Sequence, residues 1–306
     1  MSAPDAPSHA APAPVRPRRR TLVYALVFLL LSDLVVGVLA GRRAPAAAER
    51  DRLAAGAERV EAHDGGPSVV VIAGSGVDAF IPDALVSRAL GAGSLVENFH
   101  MSSPSSGLWY HAYDHLYGDA GIDPDAVVIA FHSEQLDDRD SLDWAGIGRL
   151  YTDWGTLGDR VDAAPDLPAK IDVIGSRVSS LVGHRSWLRA IWSDRVPDYA
   201  SVPRTEPAAS KTPVTYESTQ AFIAALTDDG VSVTVVAVPR TGAYIVPDAL
   251  IDTIEGAGGA FVDLRDILPP DAGAADATTG LSIGELEKLS RTVASAVDAS
   301  LRTQRG

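Results

Sequence analysis

Gly74-Ser75-Gly76 closes a short apolar run at residues 68–73, and this junction is where residue type and placement offer the clearest chemistry in the chain. The run SVVVIA is β-branched and unbroken, which predicts a central strand covered on both faces. Glycines on either side of Ser75 let the backbone turn sharply and present the hydroxyl at the strand's carboxyl end, the edge where open α/β sheets build their sites. A serine hydroxyl there is a candidate nucleophile for acyl transfer. It stays a weak one unless a base lies within hydrogen-bond reach and donors are aimed at the oxyanion. His100 and His132 are both predicted just past the ends of strands, and Glu134, Asp137 and Asp138 follow His132 closely enough to orient an imidazole. These groups read either as a Ser75–His132–carboxylate site or as polar residues rimming a crevice that does no chemistry.

Other candidates are weaker. His111 and His115 are spaced i, i+4 on a predicted helix with Asp114 between them, so both imidazoles can address one metal ion; no third ligand is evident, and a solvated or partly buried helix face is the alternative. Neither a metal nor a cofactor is expected. Trp144, Trp154, Trp187 and Trp192 read as core or helix-packing anchors, with sugar-stacking platforms as the alternative. The segment AGSG lacks the following Lys-Ser or Lys-Thr and the GxGxxG spacing, so it supports no nucleotide site. A net charge of −14 with lysines only at 170, 211 and 288 argues against a nucleic-acid partner. The chain has no cysteine, which excludes disulfides, thiolate metal sites and a thiol nucleophile.

Around the Ser75 turn the chain alternates. After the first strand come a helix at 83–90, a strand at 94–99, a helix at 106–117 carrying Trp109, Tyr110 and Tyr113, and a strand at 126–131, AVVIAF. Residues 132–216 break the rhythm with further helices, including 171–182 and 186–192, and read as an insertion over the sheet edge or the site. The alternation resumes with a helix at 217–227, the strand VSVTVVAV at 231–238, a helix at 247–255, the strand AFVDL at 260–264 and an amphipathic helix at 282–301. Such a pattern predicts a parallel, doubly wound sheet in one domain over residues 67–306.

The N-terminal part is different. Residues 1–20, rich in Ala and Pro and ending in arginines, suit a disordered cytoplasmic tail. Residues 21–40, TLVYALVFLLLSDLVVGVLA, match the length needed to cross about 30 Å of hydrocarbon, as an anchor or as a long signal peptide. The anchor is the reading adopted, with the C-terminal domain outside the cytoplasm. Asp33 inside the span is either a contact for another membrane protein's helix or a tolerated polar residue. Residues 41–66 mix Ala, Glu and Arg and predict a partly helical stalk.

The phrases AGSGVDAFIPDALVSRALG, VENFHMSSPSSGLWY, PDAVVIAF and FVDLRDILPP followed by ATTGLSIGELEKLS resemble the SGNH (GDSL-like) hydrolase superfamily, over about residues 68–131 and 217–302. The chain is most similar to the membrane-anchored members associated with O-acyltransferases of surface polysaccharides. The resemblance implies a flavodoxin-like sheet, a Ser nucleophile after the first strand, oxyanion donors in the next two loops, and an Asp and a His before the last helix. Carried over residue by residue, Gly76 stands where the nucleophile belongs and Ser75 one place before it. Ser103 and Ser133 take the oxyanion- or ligand-facing positions, since the chain's only asparagine is Asn98. Asp276 matches the family's Asp, whereas Gly280-Leu281-Ser282 replaces the motif containing the His, and no histidine follows His184. The resemblance therefore implies a catalytically degenerate accessory protein of polysaccharide or glycolipid acylation that binds a membrane partner or a glycan. An active esterase or acyltransferase using Ser75 with His132 is the alternative.

Overall fold

The computed structural model describes residues 19–74, 76–77, 79–103, 105–132, 134–138, 142–195, 214–239, 244–267 and 281–305. The protein is an α/β structure built on a five-stranded, wholly parallel sheet in the order β2-β1-β3-β4-β5, with β1 Ser68–Gly74, β2 Leu95–Met101, β3 Ala126–Phe131, β4 Ser232–Ala237 and β5 Ala260–Asp263. Every residue of β1, β3 and β4 is buried, as the unbroken Val/Ile/Ala runs require when helices cover both faces. The edge strand β2 instead alternates, so that Glu97 and Asn98 sit between buried Val96 and Phe99.

Successive residues of β1 feed two separate cores. Val70 and Ile72 point to one with Leu53, Trp109, Phe222 and Ile254, while Val69, Val71 and Ala73 point to the other with Val86, Leu289, Val293 and Val297. The helices of the first layer are α2 Pro45–Glu61, α4 Ser106–Tyr113, α10 Glu217–Asp228 and α11 Asp248–Gly256; those of the second are α3 Asp83–Leu90 and α12 Ile283–Arg305. Along α12, Leu289, Val293, Val297 and Leu301 repeat every four residues and form one buried face. Ser282 and Glu285 close its first turn as a capping box, each side chain accepting a hydrogen bond from the other's backbone N–H.

Three features depart from the sequence reading. Where a stalk was expected, α2 lies on the sheet: Leu53, Ala57 and Val60 are buried, Arg59 pairs with Glu97 at 2.7 Å, and Arg52 donates to the carbonyls of Asn98 and His100. The second strand continues two residues further than expected, so His100 lies inside β2 opposite Ala73 and not beyond the strand's end. The helix expected at 106–117 gives way after Tyr113 to a π-helical turn, Asp114–Gly118.

Between β3 and β4 the insertion contains α5 Trp144–Leu150, α6 Leu157–Ala163, α7 Leu167–Val178, α8 Ser180–Gly183 and α9 Arg185–Arg195. At the N-terminus, α1 Arg19–Arg43 contains one helical stretch, Val23–Arg43, long and apolar enough to cross a membrane. Its apolar side chains from Val23 to Leu39 are largely exposed, and its carboxylate, Asp33, accepts hydrogen bonds from the Ser179 hydroxyl at 2.7 Å and the Leu181 amide at 3.0 Å.

Candidate functional site

The sheet reverses its winding at β1, whose neighbours β2 and β3 lie on opposite sides, and the crevice beyond the carboxyl ends at such a point is where an α/β sheet takes ligands. Ala73 pairs with Ala130, which leaves the last residues of the two strands, Gly74 and Phe131, side by side at this crest. Ser75, Ser133 and Asp276, three of the expected site residues, lie outside the described residues.

The two glycines of the turn have different reasons to be glycine. Gly76 has φ +85° and open space around its Cα, so its requirement is conformational. Gly74 is a matter of room: a Cβ there would come 2.5 Å from the Gln135 amide nitrogen and 3.3 Å from the Trp109 ring. Gln135 fills the space over the end of β1. It is fixed there because its Oε1 accepts from the His132 backbone N–H at 2.9 Å and its carbonyl accepts from the Ser106 N–H at 3.1 Å. Trp109, fully buried beneath, donates its indole N–H to the Ser103 carbonyl at 2.9 Å, and the Ser103 hydroxyl accepts from the Ser105 amide at 3.4 Å. Ser103 thus braces the entry to α4.

The carboxylates that follow His132 are placed differently from one another. Asp138 accepts from the Thr215 hydroxyl and from the backbone amides of Glu217 and Ser218, at 2.9, 2.6 and 3.2 Å, and so caps α10 rather than orienting an imidazole. Asp137 is buried at the boundary of two cavities. On the far side of the crest, Asp263 at the end of β5 holds Arg265 through bonds of 2.9 and 2.6 Å, and the guanidinium lies 5.1 Å from the Tyr244 ring. That pairing, ahead of the opposing effect of burial, keeps the Asp263 carboxyl below its usual range.

Beside the crest, the loops after β2 and β3 open onto a cavity of about 700 Å³ roofed by the insertion. Tyr110, His111 and Trp144 supply its aromatic wall, and Asp137, Asp138, Asp166, Asp172 and Glu217 its carboxylates; among the described residues no lysine or arginine lines it. Several of these acids are already engaged. Asp166 caps α7 through the Ala169 amide at 2.8 Å, and Asp172 forms a two-pronged pair with Arg185 at 2.6 Å. His111 is only 5 % exposed, meets Trp144 edge-on at a ring distance of 5.2 Å, and has no hydrogen-bond partner for Nδ1. Burial first, and the nearby Arg160 second, depress its pKa to about 4 against the pull of Asp114, so the ring is neutral at pH 7.

His111 and His115 do not converge. His115 turns away to Asp119, with Nδ1 3.2 Å from the carboxylate, and lies edge-on to Tyr151; among the described residues no group of three or more His, Asp or Glu side chains is placed to hold a metal ion. Of the four tryptophans of the insertion, Trp144 faces the cavity, whereas Trp154 and Trp192 are 63 % and 59 % exposed. Gln135 and the cavity wall at Tyr110 and Glu217 are not marked by any sequence motif: a loop glutamine has no signature, and the cavity exists only once the insertion has folded over α4.

Comparison of the chain with protein-family models, with curated proteins and with solved structures finds no match in any of the three.

Proposed function

We propose that this is a membrane-anchored, extracytoplasmic α/β protein of doubly wound, flavodoxin-like SGNH type that has lost acyl-transfer chemistry and serves as a glycan-binding accessory component of cell-envelope polysaccharide or glycolipid acylation. The strand order, with its reversal at β1, supports the fold assignment, and the motifs quoted above support the family. The observation that carries the functional reading is Gln135: its side-chain amide, tied by Oε1 to the His132 N–H, packs against the end of β1 at Gly74, so a neutral group occupies the space beside the strand's carboxyl end. No histidine follows His184, so the segment before α12 supplies no imidazole base.

The adjoining cavity suits a sugar. Its volume of about 700 Å³ is ample for a monosaccharide or a short oligosaccharide, Trp144 and Tyr110 offer apolar faces, and the carboxylates accept hydrogen bonds from hydroxyls while repelling anions. A membrane-bound O-acyltransferase is the partner proposed for the whole protein. The competing reading, an esterase using Ser75 with His132, is favoured by one feature: His132 directly follows β3, the strand paired with β1.

The test uses the full chain in detergent. Binding of neutral hexose and N-acetylhexosamine oligosaccharides is followed by calorimetry, and hydrolysis of 4-nitrophenyl acetate by absorbance. The proposal expects sugar binding that falls at least tenfold in Trp144→Ala, and ester turnover no different from Ser75→Ala. Turnover that disappears in Ser75→Ala and His132→Ala would establish the esterase instead.

A further inference from the structure

The insertion shows an apolar face with nothing over it. Along α7, Ala169, Val173 and Ser176 are buried against the domain, yet the opposite side is apolar too: Leu167, Ile171, Ile174 and Val178 are 69, 58, 45 and 66 % exposed. Their spacing of four, three and four residues draws a single stripe down the helix. On α9, Trp192 adds a further exposed ring. Two of the charges flanking the stripe are neutralised within the protein, Asp172 by Arg185 at 2.6 Å and Arg177 by Asp153 at 3.6 Å, with the Arg177 guanidinium also over Trp154.

The position of this face is fixed by α1. Asp33, Gly37 and Ala40 repeat at four and three residues and form the side of the N-terminal helix turned to the domain; Ala40, and Ala44 just past the helix end, are buried. Asp33 takes the Ser179 hydroxyl and the Leu181 amide at the α7–α8 junction. Gly37 has no room for a side chain, since a Cβ would come 2.7 Å from the Ser180 hydroxyl. The insertion is therefore joined to α1 near its middle. From Val23, where the apolar stretch begins, to Asp33 the helix rises only about 15 Å at about 1.5 Å per residue, half of the roughly 30 Å that a span must cover. With Val23 at one boundary of the hydrocarbon, the junction at Asp33 lies near the middle of the bilayer.

We infer that the insertion is a membrane-embedded wedge: the Leu167–Ile171–Ile174–Val178 face of α7 and Trp192 of α9 contact lipid acyl chains alongside α1. The inference rests on the membrane-anchored reading above. It explains an apolar surface on both sides of one helix, which water would disfavour, and the use of Asp33 to cap α8 within the protein. It also sets the height of the domain. The cavity shares α7 with the lipid face, Ala169 and Asp172 lining one and Ile171 the other, so its mouth is held close to the bilayer surface.

The chain has no cysteine, so single cysteines can be introduced without removing any. Spin labels at Ile171→Cys and Val178→Cys are compared with Leu30→Cys on α1 and Ile245→Cys, at a position 87 % exposed on the domain, in the full chain in phosphatidylcholine–phosphatidylglycerol nanodiscs. Collisions with oxygen report lipid and collisions with a nickel chelate report water. The expected result is an oxygen-to-nickel ratio at 171 and 178 that matches Leu30→Cys and exceeds Ile245→Cys by severalfold. Labels at 171 and 178 that behave like Ile245→Cys, while Leu30→Cys reports lipid, would overturn the wedge and leave the anchor standing. An aqueous signal at Leu30→Cys as well would remove the anchored reading. Low collision rates with both reagents at 171 and 178 would show a protein surface covering the face, and would equally overturn a lipid contact.

Discussion

Acid should unfold this protein in part through one ring. His111 is 5 % exposed, packed edge-on against Trp144 and beside Tyr110, with Arg160 near it and Asp114 opposing, and its pKa falls to about 4 from an ordinary 6.5. Between those values the unfolded chain binds a proton that the folded chain refuses. The stability that the neutral ring contributes is complete above about pH 6.5 and is lost as the pH falls toward 4. At pH 5 the loss amounts to about 2 kcal/mol, which for a domain of this size lowers Tm by about 4–8 °C. His184 shifts in the same direction, burial acting before Arg149, so the wild type alone does not isolate the effect. The comparison is with His111→Phe, which keeps an aromatic ring against Trp144 and removes the unpartnered nitrogen. Thermal unfolding of the full chain in detergent, followed by near-ultraviolet circular dichroism at pH 7.5 and pH 5, should show a Tm drop that is smaller in the variant by those 4–8 °C. Equal drops in the two proteins would refute the assignment of a buried, neutral His111.

Further outcomes follow from close contacts and caps. Gly74→Ala places a methyl group against the Gln135 amide and should break its bond to the His132 N–H, costing about 1–3 kcal/mol in thermal or denaturant unfolding; adding Gln135→Ala should recover part of that loss. Gly148→Ala meets the backbone of Val173, 2.6 Å from its carbonyl oxygen and 2.8 Å from its Cα, and should separate α5 from α7 at a similar cost of about 1–3 kcal/mol. Asp138→Ala removes the cap of α10 and should destabilise by about 1 kcal/mol, with hydrogen exchange accelerating first at the amides of Glu217 and Ser218. Glu97→Gln, which weakens an exposed pair with Arg59, should change stability by less than about 1 kcal/mol.

How much the residues foretold depends on what surrounds them. Strands β1, β3 and β4 are covered on both faces, so their sequences are unbroken apolar runs and were legible with their order of alternation. Edge strand β2 was ended at Phe99 because the apolar pattern gives way to a polar residue at His100, and with it His100 was misplaced by the length of the strand's end. Helix α2 went unrecognised as part of the domain because a few small contacts, Leu53, Ala57 and Val60, carry its packing amid arginines and glutamates whose work is ionic. Gly76 was legible as a turn residue, but the reason for Gly74 was not, since it depends on a glutamine 61 positions later that reaches back over the strand. The cavity was beyond reach for the same reason. It is assembled from loops and helices whose nearness only the folded insertion creates.

The proposed loss of acyl-transfer chemistry requires that Ser75 does not act as an activated nucleophile. Intact-mass measurement of the full-length chain after incubation with a fluorophosphonate reads this directly. The account predicts no adduct on the native protein and the same spectrum for Ser75→Ala. One adduct per chain on the native protein, absent from Ser75→Ala, would contradict it and make this protein a serine hydrolase.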